Sequence, residues 1–385
     1  MRIAGMISGT SFDAIDVAVA DLAVDDGVIT LRPLGLHSTD IPDALRARIA
    51  DVLPPRTTTI DEVCRLDTEL GQLFGSAAAP ACAAVGGVDL VVSHGQTVYH
   101  WVDGDRARGT LQLGAPAWIA AATGLPVVSD LRSRDIVAGG HGAPLASTLD
   151  ALLLLHDTTR RRGALNLGGI ANITVLGADD AVLAYDIGPA NALIDAAVAA
   201  QTGGRERMDR DGAHAASGHV NAALLERLLA EPYYRLPSPK STGKELFHAG
   251  YLAGLAADVS GDDLVTTLTE LTAVLVGDAC RAYRLHELIV SGGGVRNPVL
   301  MERIATRIAP ARVRPVDEFG LPAQAKEAYL FALLGFLTVH GLAGSIPSAT
   351  GAAAPVILGS ITPGAGPLRL PEPVALAPRG LRIDA

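Results

Sequence analysis

Ala164-Leu165-Asn166-Leu167-Gly168-Gly169-Ile170-Ala171-Asn172-Ile173-Thr174-Val175-Leu176 reads as a strand, a glycine turn and a second strand. The apolar run Ala164–Leu167 leads into a turn over Gly168–Asn172, and Ile173–Leu176 leads out of it. Gly177-Ala178-Asp179-Asp180 then marks a hairpin, with Ala181–Tyr185 as the third strand. The chain follows the same plan near its start. Ile3–Ile7 is apolar, Ser8-Gly9-Thr10-Ser11 turns, and Ile15–Ala20 alternates with the period of a half-buried strand. Asp25-Asp26-Gly27 is the matching hairpin before Val28–Leu36.

Working outward, each triplet is followed by helices and buried strands. In the first half these are helical patterns at Pro42–Leu53 and Ile60–Val85 and a strand Leu90–Ser93 that ends in Ser93-His94-Gly95-Gln96-Thr97. After Trp118–Thr123 comes a short strand, Leu125–Ser129. In the second half, helices at Asn191–Gln201, Ala215–Leu229 and Leu264–Arg284 precede the strand Leu288–Val290, the run Ser291-Gly292-Gly293-Gly294 and a helix from Pro298. This is a duplication of architecture with little sequence identity between the copies. It predicts an α/β fold of two similar domains, residues 1–145 and 146–385, facing each other across a central cleft that suits a ligand. The proline-rich tail, 363–385, lacks periodicity and is expected to be extended or partly disordered.

Composition narrows the class. At 385 residues two domains are the default, and with nearly half the residues hydrophobic the chain can bury two cores. A net charge of −10 gives no broad field to attract a phosphate backbone, so nucleic acid is not an expected partner. Neither a signal-peptide pattern nor an apolar stretch of membrane-spanning length is present, so no membrane role is expected and the location is read as cytoplasmic. Cys64, Cys82 and Cys280 show no paired spacing for disulfides or zinc.

Four motifs carry chemistry. In Gly5-Met6-Ile7-Ser8-Gly9-Thr10-Ser11-Phe12-Asp13-Ala14-Ile15-Asp16, backbone N–H groups and hydroxyls can cradle phosphate oxygens, and Asp13 or Asp16 can hold magnesium through water. An ordinary hairpin with a capping Asp is the plain alternative. Asn166-Leu167-Gly168-Gly169-Ile170-Ala171-Asn172 is its counterpart, and two such hairpins at equivalent positions favour a phosphate clamp. In Tyr185-Asp186-Ile187-Gly188-Pro189-Ala190-Asn191, a strand-end carboxylate can serve as general base or simply cap a helix. In Ser291-Gly292-Gly293-Gly294-Val295-Arg296-Asn297, a glycine run lets a flat ring or pyrophosphate approach the backbone. The acidic residue expected about twenty positions later in a dinucleotide-binding unit is missing, which argues against a nicotinamide oxidoreductase. Walker, G-x-S-x-G and HExxH patterns are absent, and His94 and His100 lack the company of a metal site.

Taken together and in order, these motifs resemble the sugar-kinase, actin and heat-shock ATPase superfamily, and within it the anhydro-N-acetylmuramic acid kinases. The resemblance also rests on Ser93–Thr97, Asp130–Asp135, Gly139-Gly140-His141-Gly142-Ala143-Pro144, Asp209-Arg210-Asp211-Gly212, Pro239–Glu245 and Ala325-Lys326-Glu327-Ala328, and runs from about Ile3 to Gly364. It implies two ribonuclease H-like (actin-like ATPase) domains, ATP and Mg2+ as cofactors, a sugar substrate and a homodimer. The implied reaction opens the 1,6-anhydro bridge with water and phosphorylates the released O6, giving N-acetylmuramic acid 6-phosphate for peptidoglycan recycling.

Carried over residue by residue, the resemblance makes Asp186 the base. It gives ATP to Gly9, Thr10, Ser11, Phe12, Asp13, Ala14, Ile15 and Asp16, with Gly168, Gly169 and Asn172 as the second hairpin, and Gly292, Gly293, Gly294 and Asn297 on the adenosine side. Arg132 or Arg134 suits the substrate's lactyl carboxylate. Glu327 contacts sugar hydroxyls or is a helix-surface charge. His94 and Gln96 line the cleft or satisfy buried backbone. The chain departs from the family's usual residues at Ala14 and Ala190 (glycine), Ile187 (threonine) and His141 (glutamine). Two other readings remain: a kinase for a hexose or amino sugar with a free hydroxyl, and a nucleotide-dependent sugar sensor without catalysis.

Overall fold

The computed structural model describes residues 1–9, 12–104, 106–157, 159–238, 240–243 and 246–384. The chain divides into two compact units, Met1–Leu153 with Gly320–Ala385, and Leu154–Phe319.

The first unit begins with β1 (Arg2–Ser8), β2 (Ala14–Asp25), β3 (Val28–Asp40), β4 (Leu90–Asp103), β5 (Arg106–Leu113) and β6 (Val127–Ser129). β1, β2 and β3 are antiparallel neighbours, and β4 and β6 run parallel to β1. β1 is buried from Ile3 to Ser8, which explains its continuous apolar run: both faces of this central strand are covered. One face meets the helix Ile60–Ala84, the other the helix Lys326–Val339. Gly5 makes the second contact possible, because a Cβ there would stand 2.1 Å from the Ala328 carbonyl oxygen.

The second unit holds β7 (Arg162–Leu167), β8 (Ile170–Leu176), β9 (Val182–Pro189), β10 (Glu287–Ser291) and β11 (Arg312–Pro315), ordered β11-β10-β7-β8-β9. The first unit reads β6-β4-β1-β2-β3 in the same sense, so the strand order is repeated. The fold is α/β with the expected duplication. The second unit has its own core, built from residues such as Leu165, Ile173, Leu268, Val276 and Leu300.

From Gly320 the chain rejoins the first unit, whereas the sequence reading kept residues 146–385 together. The helix Lys326–Val339 is buried almost all round, as the apolar run Ala328–Leu337 demands, and it packs on β1, β2 and β4. β12 (Ser360–Thr362) pairs with β6, and β13 (Gly380–Ile383) pairs with β3. The tail is therefore mostly irregular but ends in a sheet strand, because the open edge of β3 offers unpaired backbone groups.

Two local readings change as well. β4 runs ten residues beyond the expected Ser93 and forms a hairpin with β5, so Ser93–Thr97 lies inside a strand rather than at a turn. The expected helix over 215–229 is two helices, Ala213–Ser217 and Ala222–Leu229.

Candidate functional site

In the second unit the strand register assembles a polar row. Ser291 of β10 pairs with Asn166 of β7, Asn166 with Asn172 of β8, and Asn172 with Asp186 of β9. Four neighbouring strands thus carry Ser, Asn, Asn and Asp at one level of the sheet. A register shift after Ala171 skips Ile187, which is buried in the core, and so aligns Asp186 with that row.

Asp186 is half-buried and held through both backbone and side chain. Its N–H donates to the Lys240 carbonyl at 3.0 Å, and its carbonyl accepts from the Tyr233 hydroxyl at 2.7 Å. Its Oδ2 accepts from the Thr242 N–H at 2.9 Å. The helix-cap alternative does not apply, since the helix Asn191–Gln201 starts at Ala190 without a side-chain cap bond. Lys240 anchors the opposing segment: its Nζ donates to the carbonyls of Tyr233 and Tyr234, 4.6 Å from the centre of the Tyr233 ring. Burial lowers its pKa below the usual lysine value. In the motif Pro239–Glu245, residues 239, 244 and 245 lie outside the described residues.

The hairpin at Gly168 and Gly169 is fastened by its carbonyl oxygens. Gly168 accepts from the N–H and Nδ2 of Asn191, and Gly169 from the N–H groups of Ala190 and Ala192. Asn191 was absent from the expected site, although an Asn directly after Gly-Pro-Ala at a helix start signals this kind of fastening. Gly292 has φ +87°, and a Cβ there would lie 2.4 Å from Asn166 Oδ1, so this position requires glycine. Gly293 faces open space, while Gly294 is buried against Leu167. Asn297 has a different duty from the expected one. Its Oδ1 accepts from the Leu300 N–H as a helix cap, and its Nδ2 lies 3.4 Å from Asp209 Oδ2. Asp209 in turn accepts from the N–H groups of His214 and Ala215.

In the first unit, Thr10 and Ser11 lie outside the described residues. Gly9 faces open space, and the Phe12 N–H closes a turn on its carbonyl at 3.1 Å. Phe12 packs against the core, and Ile15 is wholly buried in it, so the Ile15 side chain cannot touch a nucleotide. Ala14 opens β2. Asp13 is exposed and paired with Arg46 at 3.1 Å, whereas Asp16 is half-buried.

Two expected residues, His94 and Glu327, act on Arg132. Its Nε donates to His94 Nε2 at 2.9 Å and its NH1 to the Gly142 carbonyl at 2.7 Å. Burial pushes its pKa down to about 10, against the opposing pull of Glu327 and Asp135. Glu327 is an exposed residue in the first turn of the helix Lys326–Val339. Loss of solvation raises its carboxyl above the usual range; Lys326 and Arg132 oppose this, and Asp16 adds to it. Lys326 forms a buried ion pair with Asp150 at 2.6 Å. Asp135, also buried, accepts from the Gly142 N–H and the Thr350 hydroxyl, which fixes the loop carrying Arg132's carbonyl partner.

His94 and Gln96 are buried and bonded to both side-chain and backbone groups. His94 spends both ring nitrogens, on Arg132 and on the Gly95 carbonyl. Gln96 accepts from Ser8 at 2.6 Å and donates to the Thr97 carbonyl. Arg134 is exposed on the short helix Ser133–Val137, so Arg132 is the arginine that the cluster contains. No group of three or more potential metal ligands exists among the described residues. A separate apolar cavity of about 410 Å³, lined by residues such as Val52, Pro55, Val98 and Leu111, contains none of these side chains.

The sequence model of one family, described as anhydro-N-acetylmuramic acid kinase, matches residues 1–364. A protein of that description from Streptomyces coelicolor is 55% identical, with 100% of this chain and 99% of that protein aligned. Another from Rhodococcus erythropolis is 50% identical, with both chains covered completely. A third, from a Cyanothece species, is 40% identical over 94% of this chain and 99% of its own length.

Proposed function

We propose, for a chain that belongs to the anhydro-N-acetylmuramic acid kinase family, that Asp186 is the general base of its reaction. The chain is a kinase that uses ATP and water to convert 1,6-anhydro-N-acetylmuramic acid to N-acetylmuramic acid 6-phosphate, opening the anhydro ring in cell-wall recycling. That chemistry asks for a base, for an electrophilic phosphorus held in place, and for a grip on the sugar.

Water attacks C1 and gives one proton to the Asp186 carboxylate. The C1–O6 bond breaks with its electron pair moving to O6, which attacks the γ-phosphorus. The bond from that phosphorus to the bridging oxygen breaks in turn, and the electrons leave with ADP. Cleavage at C1 develops oxocarbenium character, so a carboxylate beside it both accepts the proton and stabilises positive charge. The observation that carries this reading is the fixing of Asp186: one oxygen is bound by the Thr242 N–H, and the main chain is bound on both sides. A base held this way loses little entropy at the moment of reaction.

Gly168, Gly169 and Asn172 are read as the second-unit phosphate hairpin, with Gly292–Gly294 on the adenosine side and Gly293 the open approach. Gly9 and the residues after it are read as the first-unit counterpart. Arg132 takes the lactyl carboxylate, and Glu327 the sugar hydroxyls. Magnesium, when bound, neutralises charge on the phosphates. Asp16 suits a water-mediated contact with it better than Asp13, which is exposed and already paired with Arg46. A cytoplasmic homodimer belongs to the same reading; no described helix is long and apolar enough to cross a membrane.

Isotope labelling tests the mechanism. With oxygen-18 water, the label is expected on C1 of the product and not in the phosphate ester. Label in the ester sinks the ring-opening route. ADP release with the anhydro sugar, compared with N-acetylmuramic acid and N-acetylglucosamine, separates it from phosphorylation of a free hydroxyl.

A further inference from the structure

His94 sits in β4 with its side chain 6% exposed, its ring 4.7 Å from that of Phe331. An arginine N–H can only donate, so the Nε2 that meets Arg132 Nε at 2.9 Å carries a lone pair. The ring proton then belongs on Nδ1, where the Gly95 carbonyl accepts it at 3.0 Å. The two bonds select a single neutral tautomer. Burial, and after it the charge of Arg132, push this imidazole down to about 3, so it remains an acceptor at physiological pH.

The guanidinium is planar, so holding Nε on His94 and NH1 on the Gly142 carbonyl fixes its plane. One hydrogen on NH1 and two on NH2 are left over, donors of the kind that bind a carboxylate. We propose that His94 is a positioning residue: by accepting from Arg132 Nε it holds the remaining N–H groups of Arg132 toward the carboxylate of the sugar substrate. The inference rests on the reading of Arg132 as that carboxylate's partner. It also explains why a histidine, rather than an apolar residue, occupies this buried strand position.

The test uses the full chain with His94→Phe, which keeps a ring against Phe331 but has no acceptor, and His94→Gln, whose Oε1 reaches the place of Nε2. KM and kcat are measured for 1,6-anhydro-N-acetylmuramic acid, and Ki for 1,6-anhydro-N-acetylglucosamine, which has the same ring without the lactyl carboxylate. His94→Phe is expected to raise KM about tenfold or more, the scale of a hydrogen bond to a charged group. Ki and kcat should change much less, and His94→Gln should restore most of the lost affinity. Should the Phe variant fail to fold, His94→Asn, too short to reach Arg132, takes its place with the same expectation. Equal loss in the Gln and Phe variants, or equal rises in KM and Ki, overturns the proposal. Arg132→Met separates the premises. If it lowers discrimination between the two sugars while His94→Phe does not, the His94 inference alone fails. If Arg132→Met leaves discrimination intact, the reading of Arg132 fails first and carries the inference with it.

Discussion

Asp186 and Asn297, both expected at the ligand, have different surroundings. Asp186 makes no helix cap, and its Oδ2 accepts from the backbone N–H of Thr242. Replacing it with Asn keeps the shape and removes the basicity. Asp186→Asn is expected to bind ATP as the parent does and to turn over about 10²–10⁴-fold more slowly, the usual cost of losing a general base. Stopped-flow nucleotide binding beside steady-state ADP release checks this, and near-parent turnover would assign the base elsewhere. Asn297, in contrast, caps the helix Pro298–Ile308 through the Leu300 N–H. Asn297→Ala is expected to lower stability by about 1 kcal/mol, as lost caps commonly do, with Asn297→Ser recovering most of it. A rise in the KM for ATP without any loss of stability would return Asn297 to the nucleotide site. The sequence could not separate these two uses, because Asn after a glycine run suits a cap and a ligand equally.

At the scale of elements, the glycine hairpins and the Asp186 strand were legible, whereas the polar stretch of β4 was not. Ser93-His94-Gly95-Gln96-Thr97 has the composition of a turn. It continues as a strand in which two of its polar side chains find partners inside the fold: His94 on Arg132 and Gly95, Gln96 on Ser8 and Thr97. Those partners lie 38 and 88 positions away for Arg132 and Ser8, beyond the reach of local pattern. The arrangement has a pH consequence. His94 is held neutral, with its pKa moved from 6.5 to about 3 by burial first. Between those values the unfolded chain binds a proton that the folded chain excludes, so stability falls as pH falls through this window. Above pH 6.5 both states are neutral and the term vanishes. His214, raised chiefly by its bond to Asp262, acts in the opposite direction, contributing stability at low pH that is lost as pH rises through its folded value. The two are separated by comparing variants. Between pH 7 and pH 5, the melting midpoint of His94→Gln should fall less than that of the parent. Parallel pH profiles would show that His94 is not excluded from protonation.

On the scale of the whole molecule, sequence revealed the duplication and hid the return of the chain. Nothing in Lys326–Val339 says which sheet it will cover, because the apolar run Ala328–Leu337 satisfies any apolar face of the right shape. The specification lies in the fit: Gly5 admits the backbone at Ala328 and Ala332, and Gly335 admits Val92. The first unit is consequently built from two distant segments, and the second from one. The second unit closes its own five-stranded sheet around its own core. Residues 154–319 expressed alone are therefore expected to fold, with one cooperative transition in urea. Residues 1–153 alone lack the helix that covers one face of β1, β2 and β4, and also lack β12 and β13. They are expected to remain unfolded or to aggregate through the exposed face. A construction that joins 320–385 to 1–153 by a flexible linker should restore cooperative folding. In Gly5→Val, the added side chain must push the helix from the sheet, a cost of about 1–3 kcal/mol by analogy with overpacked cores. That loss should appear in the joined first unit and be absent from residues 154–319. Cooperative unfolding of 1–153 by itself would refute this division, since it would mean that the C-terminal helix is an accessory to the first unit rather than half of its core.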